Sequence, residues 1–534
     1  MKGADPSSEA SDSDAERGVK FCRSSKSSSG RERVPAAVRV RREKGRRATF
    51  GSSSEARPDL AFSLLFTRIS PEAATAMFSA TRTAARKVTN AAARRNVSTV
   101  RETLAQIIPE RQALLKEIKS QHGAKTLGNV TVEQVIGGGR GIKYMLWDPS
   151  VLDAEEGIRF WGRSIPECQR DLPTAEGGKE ILPEAMFWYL LTGKVPTAEE
   201  TKQFQEELVG RSELPAYAEK VLDSLPKTLH PMTQFVIGVA ALNHDSKFAA
   251  QYKAGMKKSE YWVPALEDSL DCVAKSFTLA ARIYNNIYRN GHDSSVPAID
   301  KSKDLSFNFA NQIGFGDSEG FIELIRLYNS LHTDHEGGNV SAHTTHLVGS
   351  ALSDPFLSYS AALGGLAGPL HGLANQEVLR FILGMQKELG DNASDEQVVD
   401  FIWKTLNKGQ VIPGYGHAVL RKPDPRFMAL QQFGVQHPET ANDPVFKYVD
   451  QLYRVAPGVL TEHGKTKNPY PNVDSASGSL LYHYGLTHFD FYTVTFGTSR
   501  AIGALSQLVW DRALGLPIER PKSLSMEAIL KLVK

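Results

Sequence analysis

From about residue 102 onward the chain repeats one local message: a capped helix start, an apolar stripe at a three-and-four spacing, and a stop. Thr197-Ala-Glu-Glu200 is a capping box, in which a hydroxyl and a carboxylate each take a backbone N–H left bare at a helix start. Ser394-Asp-Glu-Gln397 is another, followed by Val398, Phe401, Ile402 and Leu406 on one face and by Gly409 as a stop. Phe321, Leu324, Ile325, Tyr328 and Leu331 keep the same period. A hairpin around residues 130–165, turning at Gly137-Gly-Gly-Arg-Gly141, is the main expected exception. Strand–helix alternation is absent, so the expected fold is all-α.

Charge narrows the class of partner. The net charge is +3, but residues 1–101 hold 21 of the 63 Lys/Arg and only 10 of the 60 Asp/Glu. The remainder is therefore acidic and would repel a nucleic-acid backbone, so no nucleic acid is expected. The longest apolar runs, such as Phe235 to Leu242, are far shorter than a membrane span. Cys22, Cys168 and Cys272 lack metal-ligand spacing and cannot frame a disulfide scaffold, which points to a reducing compartment.

Residues 1 to about 58 are rich in Ser, Arg, Lys and Glu with too few apolar groups to bury a core, and residues 1–76 are read as a disordered extension. Residues 77–101 have no acid, several arginines and many Ala, Ser and Thr, the composition of an organelle transit peptide. A leader normally begins a chain, so Met77 is read as the working start, with the upstream segment an extension of the gene model or an alternative isoform. Sequencing the N-terminus of the endogenous protein tests this.

Six of the 14 histidines fall between His332 and His417. His332, His335, His343 and His346 form two pairs at i, i+3, one residue short of the usual helical zinc spacing. They read either as structural histidines or as one substrate-binding histidine among structural neighbours, and no metal is expected. His371, in Gly368-Pro-Leu-His371-Gly-Leu-Ala-Asn375, precedes a periodic stretch (Val378, Leu379, Phe381, Ile382, Met385). Near a helix start it is either a cap or a neutral donor, because the dipole disfavours the imidazolium. Gly364, Gly368 and Gly372, four apart, either pack a helix pair or punctuate a loop around Pro369. Pro413-Gly-Tyr-Gly-His417 continues to Arg421 and Arg426, placing a histidine in a glycine-rich loop with two arginines. Arginine offers a planar fork of donors to carboxylates and phosphates, so the segment is a candidate anion site. Asn472-Val-Asp474 and Phe496-Gly-Thr-Ser-Arg500 add a carboxylate and a further arginine.

The segments His335-Glu-Gly-Gly-Asn, Gly368 to Asn375, Pro413 to Arg426, Pro471-Asn-Val-Asp474 and Phe496 to Arg500 occur in the order and spacing of citrate synthase. From about residue 102 to the C-terminus the chain closely resembles the eukaryotic mitochondrial members of that family. The resemblance implies a large helical domain, residues 102–371 with 479–534, and a small one, residues 372–478, that closes over the substrates. It implies that Asp474 removes a methyl proton from acetyl-CoA, that His371 holds the enol oxygen, and that His417 polarises and protonates the carbonyl of oxaloacetate. His335, Arg426 and Arg500 would hold oxaloacetate, with Arg520 contributed to the other subunit of a homodimer. CoA would meet Arg140, Arg421, Lys467 and Asn472, and main chain around Val411, Gly414 and Gly416. Where relatives carry an arginine from the second subunit, this chain offers Lys258, which keeps the charge without the fork. No cofactor is implied, and the expected site of action is the mitochondrial matrix. The chain ends Lys-Leu-Val-Lys534 rather than in a Ser-Lys-Leu peroxisomal signal. The rival readings are a 2-methylcitrate synthase, which takes propionyl-CoA, and a catalytically silent homologue.

Overall fold

A computed structural model describes residues 97–293 and 295–534. The expected extension and nearly all of the expected transit peptide lie outside the described residues. The boundary drawn at Arg101 falls inside a helix, because Val100–His122 starts from a Thr99/Glu102 capping box. Val100 is buried, and Arg101 reaches Glu207 at 2.6 Å and Glu267 at 2.5 Å.

The two boxes read from the sequence start the helices Ala198–Arg211 and Asp395–Asn407 as expected. Among the described residues the only sheet is a two-stranded antiparallel ribbon, Ser150–Asp153 with Gly157–Phe160. The hairpin is therefore real, but its turn is elsewhere. Gly137 ends a short capped helix, Val132–Ile136, whereas the chain reverses at residues 154–156, where Asp153 Oδ1 accepts the N–H groups of Glu155 (2.8 Å) and Glu156 (2.9 Å). A β-carbon at Gly157, whose φ is +85°, would strike the Pro425 ring, so the ribbon sits against the start of the Pro425–Gln436 helix.

The helices sort into two packing groups. In the first, Trp262–Tyr288 and Tyr492–Leu514 lie against one another at the centre, with Pro183–Thr192, Pro231–Ala241, Val340–Ser350 and Pro355–Leu366 around them. Every residue from Tyr492 to Ala513 is buried, so this helix is a core rod rather than an amphipathic surface helix. Its Gly503 lets the Thr333 carbonyl approach where a β-carbon would collide. The second group contains Ala374–Leu389, Asp395–Asn407, Pro425–Gln436, Pro444–His463 and Asp474–His483. A boundary at residue 478 cuts the last of these helices, and the packing group runs to its end.

Gly364, Gly368 and Gly372 are not one helical row, since the helix stops at Leu366. Gly364 meets nothing within 4 Å, and the close approach belongs to Gly365, whose added β-carbon would lie 2.8 Å from Val340. Gly372, just before the second group begins, is tied to the first: its N–H donates to Leu366 O (3.0 Å) and its carbonyl accepts from Thr493 Oγ1 (3.0 Å).

Candidate active site

Loops that carry His335, His371 and His417, two helix starts with Arg426 and Asp474, and the core helix with Arg500 bring these side chains into one polar cluster. The first loop, residues 332–339, follows the Glu319–Leu331 helix and is anchored by buried Asp334. That carboxylate accepts from Trp147 Nε1 (2.9 Å), Ser150 Oγ (2.7 Å) and the His335 N–H (2.9 Å). His332 Nδ1 bonds Tyr328 O at 2.9 Å, and its ring stacks on Tyr328. The Nε2 atoms of His332 and His335 are both buried without a partner among the described residues. A buried polar atom left bare is costly, so a pair of them beside arginines marks a place for a polar ligand.

Arg500, on the central Tyr492–Leu514 helix, is 1% exposed. Its Nε donates to His332 O (3.1 Å), and Nη1 to Asn339 Oδ1 (2.8 Å) and Ser341 Oγ (3.2 Å). The guanidinium lies 4.9 Å from the Phe496 ring centre. Burial lowers its pKa to about 10, with Asp334 acting against that fall. Arg426 opens the Pro425–Gln436 helix and is forked onto buried Asp424, Nη2 at 2.6 Å and Nε at 3.1 Å. Asp424 is also the N-cap of that helix, accepting the Arg426 N–H at 2.9 Å.

His371 lies in the turn before Ala374–Leu389. Its Nε2 accepts the Ser341 N–H at 3.4 Å and lies 3.0 Å from Ser341 Oγ. The neutral ring then carries its proton on Nδ1. Burial first, and then the Arg500 charge, push its pKa down to about 4. His417 is set the other way round. Its Nδ1 accepts the N–H groups of Val419 and Leu420, each at 3.0 Å, so the neutral ring presents Nε2–H. Burial and Arg426 bring its pKa to about 4, with Asp424 opposing. His335 stands edge-to-face with His417, ring centres 5.5 Å apart, and is held well below its ordinary pKa by burial, then Arg426. The pocket thus holds neutral imidazole donors beside fixed guanidinium charge.

Asp474 begins the Asp474–His483 helix. Burial raises its carboxyl to about 6, Arg426 pulling it back and Asp424 pushing it further up. A carboxylate poised there is a competent base near neutrality. The loop before it is zipped to the His417 loop. Asn472 N–H donates to Gly414 O (2.8 Å), Asn472 Nδ2 to Gly416 O (3.2 Å), Gly416 N–H to Tyr470 O (3.1 Å) and Ser475 Oγ to Gly414 O (2.6 Å). Gly414, at φ +80°, has no room for a β-carbon against Ser475. The Asn472 side chain and the Gly414 and Gly416 main chain are therefore committed to bracing.

The structure brings together His335, His371, His417, Arg426, Asp474 and Arg500, uses Asn472, Gly414 and Gly416 as loop braces, and leaves the other expected residues on the surface. Arg140, Val411, Lys467 and Lys258 are exposed. Arg421 is exposed too, and its Nη1 bonds the carbonyls of Val419 and Leu420 of its own loop, each at 2.7 Å. Lys258 lines a surface cavity of about 580 Å³ with Lys116, Lys119 and Arg512. Arg520 is exposed and, among the described residues, makes no hydrogen bond or ion pair. Residues that the sequence reading missed include Asn339, Ser341 and Asp424. Asn339 and Asp424 are N-caps, and Gly-Gly-Asn-Val and Pro-Asp-Pro carry that signal. Nothing in the sequence marks Ser341. The four histidines at i, i+3 go to two places: His343 and His346 turn away toward Glu519 and Asp511. Among the described residues no group of three or more His, Cys, Asp or Glu side chains is arranged to hold a metal ion.

Among the described residues the fold is helical apart from one short ribbon, and the cluster sets two buried arginines beside neutral imidazoles and a carboxyl raised to about 6, the equipment of an enzyme for proton transfer beside an anion. Residues 138–522 match the family described as "Citrate synthase, C-terminal domain". The chain is 57% identical over 437 residues to the mitochondrial citrate synthase of Neurospora crassa, spanning 82% of this chain and 92% of that one. It is also 57% identical over 438 residues, with the same coverage, to a mitochondrial 2-methylcitrate synthase of Gibberella moniliformis. The crystal structure of citrate synthase from Pyrobaculum aerophilum superposes with a TM-score of 0.64 at 25% identity, over 75% of this chain and 95% of that one. The chain belongs to the citrate synthase family and is an acyltransferase of that family.

Proposed function

We propose that this enzyme condenses acetyl-CoA with oxaloacetate and water to give citrate and free CoA, with Asp474 as base and His371 and His417 as neutral donors. The observation that carries the assignment is the opposite tautomers of the two histidines. His371 offers Nδ1–H and His417 offers Nε2–H, and both stay neutral down to about pH 4.

Asp474 takes a methyl proton from the thioester, and His371 Nδ1–H bonds the oxygen on which the negative charge develops. Such a donor, already in place, is what makes so weak a carbon acid accessible to a carboxylate. The new carbanion-like carbon attacks the ketone of oxaloacetate as His417 Nε2–H protonates its oxygen. Citryl-CoA results, and water then cleaves the C–S bond, releasing the CoA thiol and citrate. The two carboxylates of oxaloacetate fall to Arg426 and Arg500 with His335. The proton that Asp474 takes replaces the one that His417 gives, and the water supplies the hydroxyl of the new carboxyl and the proton of the CoA thiol, so the steps balance without a cofactor. Closure of the Ala374–His483 group over the pocket would exclude water until the C–C bond has formed.

The unit is a homodimer in which Arg520 of the partner subunit completes the oxaloacetate site and Lys258 of the partner subunit meets the CoA phosphates. Two features support it. Val340 (53% exposed), Leu347 and Leu357 lie bare on the packed pair Val340–Ser350 and Pro355–Leu366, with Leu370 fully exposed just beyond. Arg520 meanwhile finds nothing to bind in its own pocket. CoA would bind Arg140, Arg421 and Lys467, and Arg421 must first leave its own loop carbonyls. The compartment is the mitochondrial matrix, in keeping with relatives named mitochondrial.

Free-thiol release from acetyl-CoA plus oxaloacetate by the purified protein tests the activity. A well-folded protein that releases none is a silent homologue. The relative named 2-methylcitrate synthase, at equal identity, makes propionyl-CoA the informative second substrate, because one methylene is worth only about 1–3 kcal/mol of discrimination. We expect kcat/KM to favour acetyl-CoA; equal values would remove the citrate-only reading.

A further inference from the structure

Residues 517–524 form an irregular strap between the central helix and the last helix, Met526–Val533, and every residue of the strap except Glu519 is exposed. Among the described residues, Glu519 also makes all of the strap's hydrogen bonds. Its N–H donates to Ser350 Oγ (2.9 Å). Its Oε1 lies 2.9 Å from His343 Nε2 and 3.5 Å from the Tyr144 hydroxyl, which itself reaches His343 Nε2 at 2.7 Å. The other oxygen, Oε2, is buried without a hydrogen bond and lies 3.7 Å from His346 Nε2. His346 Nδ1 in turn lies 2.8 Å from Asp511, whose second oxygen accepts from Gln507 (2.7 Å).

So one side chain ties down eight residues, and the next residue is Arg520. Its grip comes from Val340–Ser350, a helix whose other end touches the catalytic pocket. There the Asn339 N-cap meets Arg500 and Ser341 meets His371.

We infer that Glu519, clasped by His343, His346 and Ser350, is a positioning residue that fixes the strap so that Arg520 is held out to the partner subunit's oxaloacetate. This rests on the reading of Arg520 as an arginine acting in the other subunit. An arginine on an untethered strap would lose much of its geometric advantage, because the cost of ordering it would fall on each binding event.

The clasp carries its own titration. His346 faces Asp511, Glu519 and Arg512. Burial works against its charge, but the Asp511 hydrogen bond, the Asp511 charge and the Glu519 charge outweigh burial, so its pKa is raised. As an imidazolium it bonds Asp511 through Nδ1 and sets its charge 3.7 Å from Glu519 Oε2. Once neutral it can keep the Asp511 bond but loses its attraction to Glu519. The grip is therefore complete below the raised pKa and slackens as pH climbs through it.

Steady-state kinetics on the purified full chain test this with Arg520→Ala, Glu519→Gln and the double variant, each checked for dimer mass and helix content. Expected for Glu519→Gln is a KM for oxaloacetate raised roughly tenfold, the scale of one lost charged hydrogen bond, with KM for acetyl-CoA within about twofold. In the Arg520→Ala background the second change should add nothing. The wild-type KM for oxaloacetate should rise with pH, and in Glu519→Gln that rise should vanish. If Arg520→Ala alone leaves KM for oxaloacetate unmoved, the partner-arginine reading fails. If Arg520→Ala raises it and Glu519→Gln does not, the clasp has no positioning role. A Glu519→Gln protein that falls to monomers assigns Glu519 to assembly and overturns the inference. His346→Gln carries the same comparison should Glu519→Gln not fold.

Discussion

The two sets of cations proposed for the two substrates are held differently. In the set proposed for oxaloacetate, Arg426 and Arg500 are buried, oriented by Asp424, Asn339 and Ser341, and flanked by imidazole nitrogens without a partner among the described residues. In the set proposed for CoA, Arg140, Arg421, Lys467 and Lys258 are exposed, and Arg421 spends its contacts on its own loop. A small dianion has few atoms to grip, so its site must be ordered before it arrives. A long nucleotide tail can order flexible side chains one by one, each contributing little. The packing that buries Arg500 has no counterpart around Arg421, and that difference should be visible in the energetics.

The largest effect is expected at the base. Asp474→Asn should fold and bind oxaloacetate but turn over at least about 100-fold more slowly, the loss typical of a missing general base; near-normal kcat would take Asp474 out of the chemistry. Next comes the comparison itself. Arg426→Gln should raise KM for oxaloacetate by about 10- to 100-fold, because it removes a charged, buried donor. It also strands Asp424, whose carboxyl the neighbouring guanidinium holds below its ordinary value against the pull of burial. Arg421→Ala should raise KM for acetyl-CoA only about threefold, in line with exposed ion pairs. Equal losses at the two arginines would break the contrast.

A pH profile sharpens it. Asp474 must be ionised to act, and its pKa is raised to about 6, so kcat/KM should fall about tenfold per unit as pH drops below that value. His371 and His417 stay neutral across the same range. A profile flat to pH 5 would show that the base is another group. The smallest effect is expected at Lys467, where Lys467→Ala should change KM for acetyl-CoA about twofold at low salt and not at all in 0.5 M salt, as screening removes an exposed charge; a salt-insensitive loss would move Lys467 to the ordered side.

The sequence disclosed these two sets unequally. The helical architecture was legible because capping boxes and apolar stripes are local signals, and the chain obeys them at Thr197 and Ser394. His371, His417, Asp474, Arg426 and Arg500 were legible only as a set of motifs in register, since each alone also reads as a cap, turn or ion-pair residue. What stayed hidden depends on contacts between distant segments. Asn472 stands two residues before Asp474, the proposed base, yet braces residue 416. Asp424 reads as a helix cap, which it is, and nothing in Pro-Asp-Pro says that the same carboxylate also orients the substrate arginine. The glycines at residues 137–141 follow a short helix instead of turning the hairpin, because glycine marks a reversal without saying what lies on either side of it.

The lacing of the His417 loop to the Asn472 loop has a kinetic corollary. Asp474 and His417, 57 apart in sequence, are braced as one unit, so the base and the acid proposed for the condensation carry their mutual placement with them into every encounter. Ordering that pair was completed when the chain folded, and neither substrate has to supply it. A lesion in the lacing, such as Asn472→Ala, would blunt both steps at once while leaving each reacting side chain chemically intact.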